Sequence, residues 1–164
     1  MPDLNATIAG DLARFYRDKA AAIFALLAPL SDEQLWIRPY PYGNTIGHLL
    51  LHLTGNLNYY VGAEIAGTGY VRDRPREFND PTHHSKDHLL RHFDQAMAMV
   101  QAALHAQSAG DWSAAYSAKG LEHAGDRFFV FLTCAAHIGH HTGQMIYLCK
   151  ELERQAAAAS TPER

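Results

Sequence analysis

The chain has 164 residues and a mass of 18.2 kDa, which fits a single domain able to bury a core without cross-links. Its net charge is -3 and its pI is ≈ 6.4, with Lys and Arg scattered along it, so nucleic acid is not an expected partner. No apolar run reaches the roughly 18 residues of a membrane span, and the N-terminus lacks an uninterrupted apolar region. We therefore predict a cytoplasmic protein that does not enter a membrane.

The first predicted helix covers residues 4–28. Its apolar residues recur at helical spacing with Lys, Arg and Asp between them, which is typical of an amphipathic helix, and Pro29 stops it. The stretch 29–44 begins with a cap signal at Ser31 and a short helical turn, and then carries Pro and Gly. We interpret it as a connector that repositions the chain.

The second predicted helix runs from Thr45 to about residue 66, with Asn44 as its cap, and ends among glycines. A loop through VRDRPREFNDPTHH follows. Ser85 then opens a third helix, which fades near residues 108–110. Its apolar residues recur at spacings of three and four, the pattern of a bundle seam, at Leu90, Phe93, Met97, Val100 and Leu104.

Residues 110–125 lack sustained periodicity, so we predict a loop with room for one turn of helix, followed by a fourth helix over about 126–157. Cys134 and Cys149 lie about 22 Å apart along that helix and cannot bridge within it, and free thiols fit a reducing compartment. The whole pattern predicts an all-α four-helix bundle with long connections, in one domain over residues 1–157. Residues 158–164 are predicted to be a frayed tail.

Histidine spacing suggests a metal site but does not locate it. The chain holds 11 His, and random placement would give roughly one pair four residues apart. Two imidazoles at this spacing on a helix can bind one divalent ion. Several pairs occur: His48 with His52, His84 with His88, His88 with His92, and His137 with His141.

Helical geometry narrows the choice. With about 100° of rotation per residue, His137 and His141 fall on a stripe of apolar and small residues that should face the core, while His140 lies well to the side. On the second helix, His52 lies at the flank of the buried face, nearer to it than His48. Buried imidazoles need partners for both nitrogens. Either hydrogen bonds at helix surfaces supply them, or His52, His137 and His141 share a metal.

The chain resembles the DinB-like, or YfiT-like, superfamily of metal-dependent enzymes over nearly its whole length. The most specific shared parts are IGHLLLHLTGN on the second helix and the pattern HxxxHxGQ, which includes Gly143 and Gln144. Many relatives have Arg where this chain has Thr142. The resemblance implies a four-helix bundle in which His52, His137 and His141 bind a divalent metal, the same set that periodicity places inward.

We therefore expect a metal-dependent enzyme of the hydrolase or thiol S-transferase type. Three neutral imidazoles keep a bound Zn, Ni or Mn ion a strong Lewis acid and leave positions for water and a small-molecule substrate. Bound water would be the activated nucleophile, or the ion would act as the Lewis acid. The resemblance further implies a low-molecular-weight thiol and a homodimer. The alternatives are a non-catalytic metal-binding bundle with a stress-related or partner-binding role, and a protein without a metal.

Several other residues have two interpretations each. Gln144 either hydrogen-bonds a ligand imidazole or a metal-bound water, or packs as an amide. Cys134 is a candidate fourth ligand, although a buried small hydrophobe is the commoner role for such a Cys. No acidic residues pair near the proposed site, so a general base would be the metal-bound hydroxide or a spare His. A ladder that we interpret as solvated surface or active-site rim lies on the third helix at His84, His88 and His92.

Overall fold

The computed structural model describes residues 3–159, and most of this part of the chain is helical. The α-helices are α1 (Leu4–Leu27), α2 (Ile46–Leu57), α3 (Arg76–Asn79), α4 (Lys86–His105) and α5 (Arg127–Ala159). Short 3-10 helices occur at Glu33–Trp36 and Asp111–Ser113, and a π-helical segment at Asn58–Ala63. The described strands are β1 (Ala115–Tyr116) and β2 (Gly125–Asp126).

The four long helices form the predicted all-α bundle. α1 and α2 each pack against both α4 and α5, which places α1 and α2 at opposite corners. Tyr16, Phe93 and Phe131 are among the largest fully buried side chains between them. The Tyr16 hydroxyl donates to the Phe131 carbonyl oxygen at 2.7 Å, so this polar group is satisfied inside the core. The apolar stripes read from the sequence therefore meet in one core.

Helix starts follow the capping residues. Ser85 caps α4, because its hydroxyl accepts from the backbone N–H of His88 at 3.2 Å. Thr45 caps α2 in the same way through the backbone N–H of His48. The predicted cap at Asn44 is therefore wrong by one residue. α1 ends at Leu27, two residues before the proline that was expected to stop it.

The second helix is not regular to residue 66, as had been expected. α2 ends at Leu57, and the chain continues through the π-helical segment. There the N–H of Glu64 donates to the carbonyl of Tyr59 at 3.2 Å, five residues back. The N–H of Ala66 donates to Val61 at 2.9 Å with the same spacing. Wider turns of this kind are common at functional sites, and they break the 100° rotation on which the sequence projection relied.

Both long connections contain structure that periodicity did not reveal. The predicted loop before α4 includes the four-residue helix α3. The loop before α5 contains the predicted turn of helix, as the 3-10 segment, and in addition the antiparallel pair β1–β2, in register Ala115 with Asp126. The Tyr116 hydroxyl donates to the Tyr60 carbonyl at 3.0 Å, which holds this hairpin against the π-helical segment. Ala158 and Ala159 continue α5, and the rest of the predicted tail lies outside the described residues.

Among the described helices, none combines the length and the apolar character needed to cross a lipid bilayer.

Candidate metal centre

Three imidazoles from two helices converge inside the bundle. His52 comes from α2, and His137 and His141 lie one turn apart on α5. The Nε2 atom of His137 is 2.9 Å from Nε2 of His52 and 3.1 Å from Nε2 of His141. Their potential ligand atoms all lie within 4.8 Å of one another, a grouping that could hold a metal ion. The structure thus brings together the three residues selected from the sequence.

Two of the three rings are oriented through their outer nitrogens. Nδ1 of His52 donates to Oε2 of Glu77 at 2.7 Å. Nδ1 of His141 donates to Oε1 of Gln144 at 2.6 Å, which is one of the two roles considered for that residue. Carboxylate and amide oxygens accept, so the hydrogen of each neutral ring lies on Nδ1 and each Nε2 presents a lone pair. Both lone pairs therefore point at the common centre.

Glu77 is itself held by an arginine. Arg72 donates from Nε to Oε1 of Glu77 at 2.6 Å and from a second nitrogen to Oε2 at 2.9 Å. The two side chains are 8% and 6% exposed, so this is a buried, bidentate ion pair. Burial acts to raise the pKa of Glu77, but hydrogen bonds from His52 and Arg72 lower it below its usual value. The residue therefore remains a carboxylate that accepts from His52.

No sequence pattern predicted Glu77: the expectation concerned a pair of acidic residues, and the structure places this single carboxylate on His52. Glu77 lies on the four-residue helix α3, far too short for a periodic pattern. One sequence feature does relate to it: Gly55 lies three residues after His52 in the run HLTGN. A Cβ atom at Gly55 would lie 2.9 Å from Cδ of Glu77 and closer still to its Oε1. Only glycine leaves room for this carboxylate beside α2.

The three imidazoles cannot satisfy one another by hydrogen bonds alone. Lone pairs from His52 and His141 both face Nε2 of His137, which carries at most one hydrogen. At least one buried nitrogen would then lack a donor, and such a group is costly. A cation at the common centre would accept all three lone pairs, and metal–nitrogen bonds of about 2.0–2.1 Å suit Zn²⁺. The donor set therefore fits the metal that the resemblance implied.

The electrostatic setting keeps the rings of His137 and His141 in the form that binds metals. Burial, followed by the neighbouring imidazoles of His141 and His52, lowers the pKa of His137 to about 3. Burial also lowers the pKa of His141, although its hydrogen bond with Gln144 opposes this effect. Neutral imidazole is the ligand form, so these two rings need not lose a proton at neutral pH before binding an ion.

A cleft of about 790 Å³ reaches the centre. His52 and His137 form part of its wall, and the other lining residues come mainly from the π-helical segment and from the two long connections. Tyr59, Tyr60 and Tyr70 contribute aromatic surface. The cleft is therefore large enough for a small molecule to approach the two histidines.

The remaining candidates lie elsewhere. Cys134 is buried, and burial raises the pKa of its thiol to about 12; within the described residues it is not part of the metal-binding group. His48 is buried too, and its Nδ1 lies 2.9 Å from the Thr45 hydroxyl. The ladder predicted on the third helix is only partly on it, because His84 lies before α4 begins at Lys86, while His88 and His92 belong to α4. The three rings nevertheless follow one another, with centroids 4.5 and 4.3 Å apart, and they are partly or largely exposed.

Fold and site together define a helical bundle that gathers possible metal ligands from facing helices. The sequence pattern of the DinB superfamily matches residues 16–145, and the chain belongs to this superfamily. The matched span contains all three converging histidines together with Glu77 and Gln144.

A solved structure supports the fold independently. It is described as the crystal structure of the conserved protein of locus from Enterococcus faecalis, and it superimposes with a TM-score of 0.69. The match covers 85% of this chain and 94% of that chain at 14% identity, which shows a shared fold and nothing finer. No curated protein matches the chain.

Proposed function

We propose that the protein is a metal-dependent enzyme whose ion is held by His52, His137 and His141. The observation that carries this proposal is the convergence of three Nε2 atoms that have too few hydrogens to satisfy one another. Zn and Ni suit a site of three imidazoles, and Mn, which favours oxygen ligands, is the third candidate. The reaction is of the hydrolase or thiol S-transferase type, and a low-molecular-weight thiol is a candidate co-substrate.

When bound, the ion would supply Lewis acidity and would lower the pKa of a water molecule or of a substrate thiol. The other roles belong to residues of the chain. Glu77 and Gln144 fix two imidazole rings with Nε2 facing inward, and Arg72 holds Glu77 in place. Partners of this type set the orientation and basicity of ligand imidazoles. The cleft admits the substrate beside His52 and His137.

The cleft favours an enzyme over a metal-binding bundle without catalysis. A structural site is closed by a fourth protein ligand, whereas a catalytic site keeps a position open to small molecules. Cys134, the candidate for closing it, is outside the metal-binding group of the described residues, and a cleft of about 790 Å³ lies beside two of the histidines. The predicted homodimer and cytoplasmic location stay predictions; light scattering of the purified protein tests the former.

Metal analysis of protein purified without an affinity tag tests the proposal. We expect close to one equivalent of a divalent metal in the wild type and almost none in His137→Ala. His140→Ala is the matched control, because its ring is on the same helix, is exposed, and lies outside the group. We expect it to keep its metal. Equal metal content in wild type and His137→Ala, with both folded by circular dichroism, would refute the site.

A further inference from the structure

The charge of the cleft suggests what enters it. Three cationic side chains line it, those of Arg72, Arg74 and Lys119, and its described lining contains no carboxylate. The protein as a whole has the opposite sign, with a net charge of -3. Positive charge is thus concentrated at the cleft that reaches His52 and His137, which favours anionic ligands over cationic ones.

The cations are not equivalent. Arg72 donates two hydrogen bonds to Glu77, and Glu77 in turn accepts from His52. Arg74 and Lys119 form no ion pair with any residue of the described part of the chain. The guanidinium of Arg74 lies over the ring of Phe78, 5.5 Å from its centroid, a contact that leaves its edge free to donate. Two cations are therefore available to a ligand.

These two residues come from different connections. Arg74 precedes α3, and Lys119 lies in the turn between β1 and β2. Glu122, an acidic residue of the same turn, uses its Oε1 to accept from the backbone N–H of Gly120 at 2.8 Å and does not line the cleft. The fold thus brings two cations without a described ion pair to one cavity from separate segments, and the nearby Glu122 interacts with Lys119 only at longer range.

A buried polar side chain in the cleft also indicates a ligand. Asn56 follows His52 by one turn of α2, lines the cleft, and is only 7% exposed. Its Oδ1 atom has no hydrogen-bond partner within the described residues. Native proteins rarely leave such an atom unpaired unless a ligand or function uses it. The amide oxygen is therefore available to accept a hydrogen bond from an O–H or N–H group of a ligand in the cleft.

We propose that the cleft binds a small organic anion, with its anionic group on Arg74 and Lys119, its polar body on Asn56, and its reactive end toward His52 and His137. This inference rests on the proposed function for the role of the reactive end. The aromatic rings of Tyr59, Tyr60 and Tyr70 would cover the apolar part of such a molecule. The substrate class is thus a carboxylate or phosphate bearing an apolar segment.

Two thiol probes, one with a charged and one with an uncharged terminal group, test the inference. Mercaptohexanoate and mercaptohexanol share a thiol and a chain and differ in the terminal group. Their affinities for the full chain supplied with Co²⁺ are measured by isothermal titration calorimetry, while metal analysis and the cobalt absorption spectrum report the ion. We expect the acid to bind about tenfold more tightly than the alcohol, the effect of about two partly exposed ion pairs. The preference should shrink as salt is added.

The matched variants are Arg74→Ala/Lys119→Ala and Arg91→Ala/Lys150→Ala. Both remove two positive charges, but the second pair is exposed on α4 and α5 and lies outside the cleft lining. We expect the first variant to lose the preference for the acid and the second to keep it. Equal affinities for both probes in the wild type, or an unchanged preference in the first variant, or its loss in the second, would overturn the inference.

The same measurements separate this inference from the proposed function. If the wild type binds no cobalt, the metal-dependent function fails whatever the calorimetry shows. If cobalt binds at His52, His137 and His141 but the protein does not distinguish acid from alcohol, the metal site stands and the anion site falls.

Discussion

The protein carries two groups of three histidines, and their difference shows what makes a metal site. The ladder at the start of α4 has two pairs with four-residue spacing, and the site has one such pair and a third residue from another helix. The ladder rings, with centroids 4.5 and 4.3 Å apart, follow one another in a row and do not meet at a point. The site converges because α2 packs against α5, which brings His52 to His137 and His141.

The groups also differ in their outer contacts. Within the described residues, the site has Glu77 and Gln144 on the outer nitrogens of His52 and His141. The ladder has one distant carboxylate, with Asp80 Oδ2 at 3.7 Å from Nε2 of His84. Imidazoles that are buried and held in one orientation lose little freedom when an ion binds, whereas exposed rings must be ordered first.

The largest expected effect separates the two groups directly. His52→Ala should remove nearly all of the bound metal, because two ligands on one helix turn hold an ion far more weakly than three. Replacing the whole ladder, in His84→Ala/His88→Ala/His92→Ala, should leave the metal content unchanged. Metal analysis of the two variants beside the wild type checks this. Loss of metal from the ladder variant, with the His52 variant still loaded, would exchange the roles of the two groups.

The two groups also show which site residues could be predicted from the sequence. His137 and His141 were found because α5 is long and regular, so their facing direction follows from rotation about one axis. His52 was harder, since it lies beside the apolar stripe of α2, and the family resemblance supported its selection. The bundle itself followed from four amphipathic segments. In each case the relevant information is local to one helix and repeats along it.

The supporting residues were missed for the complementary reason. Arg72 and Glu77 lie five residues apart in an irregular connection, where nothing repeats and only tertiary packing decides which side chains meet. No sequence pattern predicted the π-helical segment or the β1–β2 hairpin, yet residues of both regions line the cleft. Loops placed by a rigid scaffold commonly supply such residues.

Glu77→Gln should produce the next largest effect, on both stability and metal affinity. It leaves the buried guanidinium of Arg72 without its countercharge, and breaking a buried pair costs about 3–5 kcal/mol of the free energy of unfolding. Metal affinity should fall about 10–100-fold, as for other partners of ligand imidazoles. Urea unfolding and competition with a chromophoric chelator measure the two quantities.

The control for Glu77→Gln is Asp11→Asn, which removes the acid of the exposed pair with Arg14, where the side chains are 62% and 67% exposed. We expect no measurable change in stability or metal affinity from it. If the two variants behaved alike, the ion pair between Arg72 and Glu77 would have no special part in supporting His52.

Gln144→Ala should have a smaller effect, confined to metal affinity. The residue is exposed, so its loss leaves the core intact, but Nδ1 of His141 loses its acceptor. We expect affinity for the metal to fall about tenfold, at the low end for such partners. Gln144→Glu should restore affinity, because a carboxylate also accepts from Nδ1. Failure of Glu to restore what Ala loses would mean that the amide acts through packing and not through the ring.

The smallest expected effect is at Asn56, which belongs to neither group of histidines. It tests whether a buried polar residue lowers the stability of the protein because it serves ligand binding. Asn56→Leu keeps the side-chain size while removing a buried oxygen that has no partner in the described structure. Removing an unsatisfied buried acceptor should raise the free energy of unfolding by about 1 kcal/mol, measured in urea. Binding of an anionic thiol whose chain carries a hydroxyl or amide N–H should weaken, because that group can donate to Oδ1. Asn58→Leu, at a partly exposed position two residues on, should change stability by no more than about 0.5 kcal/mol. A destabilised Asn56→Leu protein would mean that the amide stabilises the fold. A role in ligand binding would then not be needed to explain why this polar side chain is buried in the cleft.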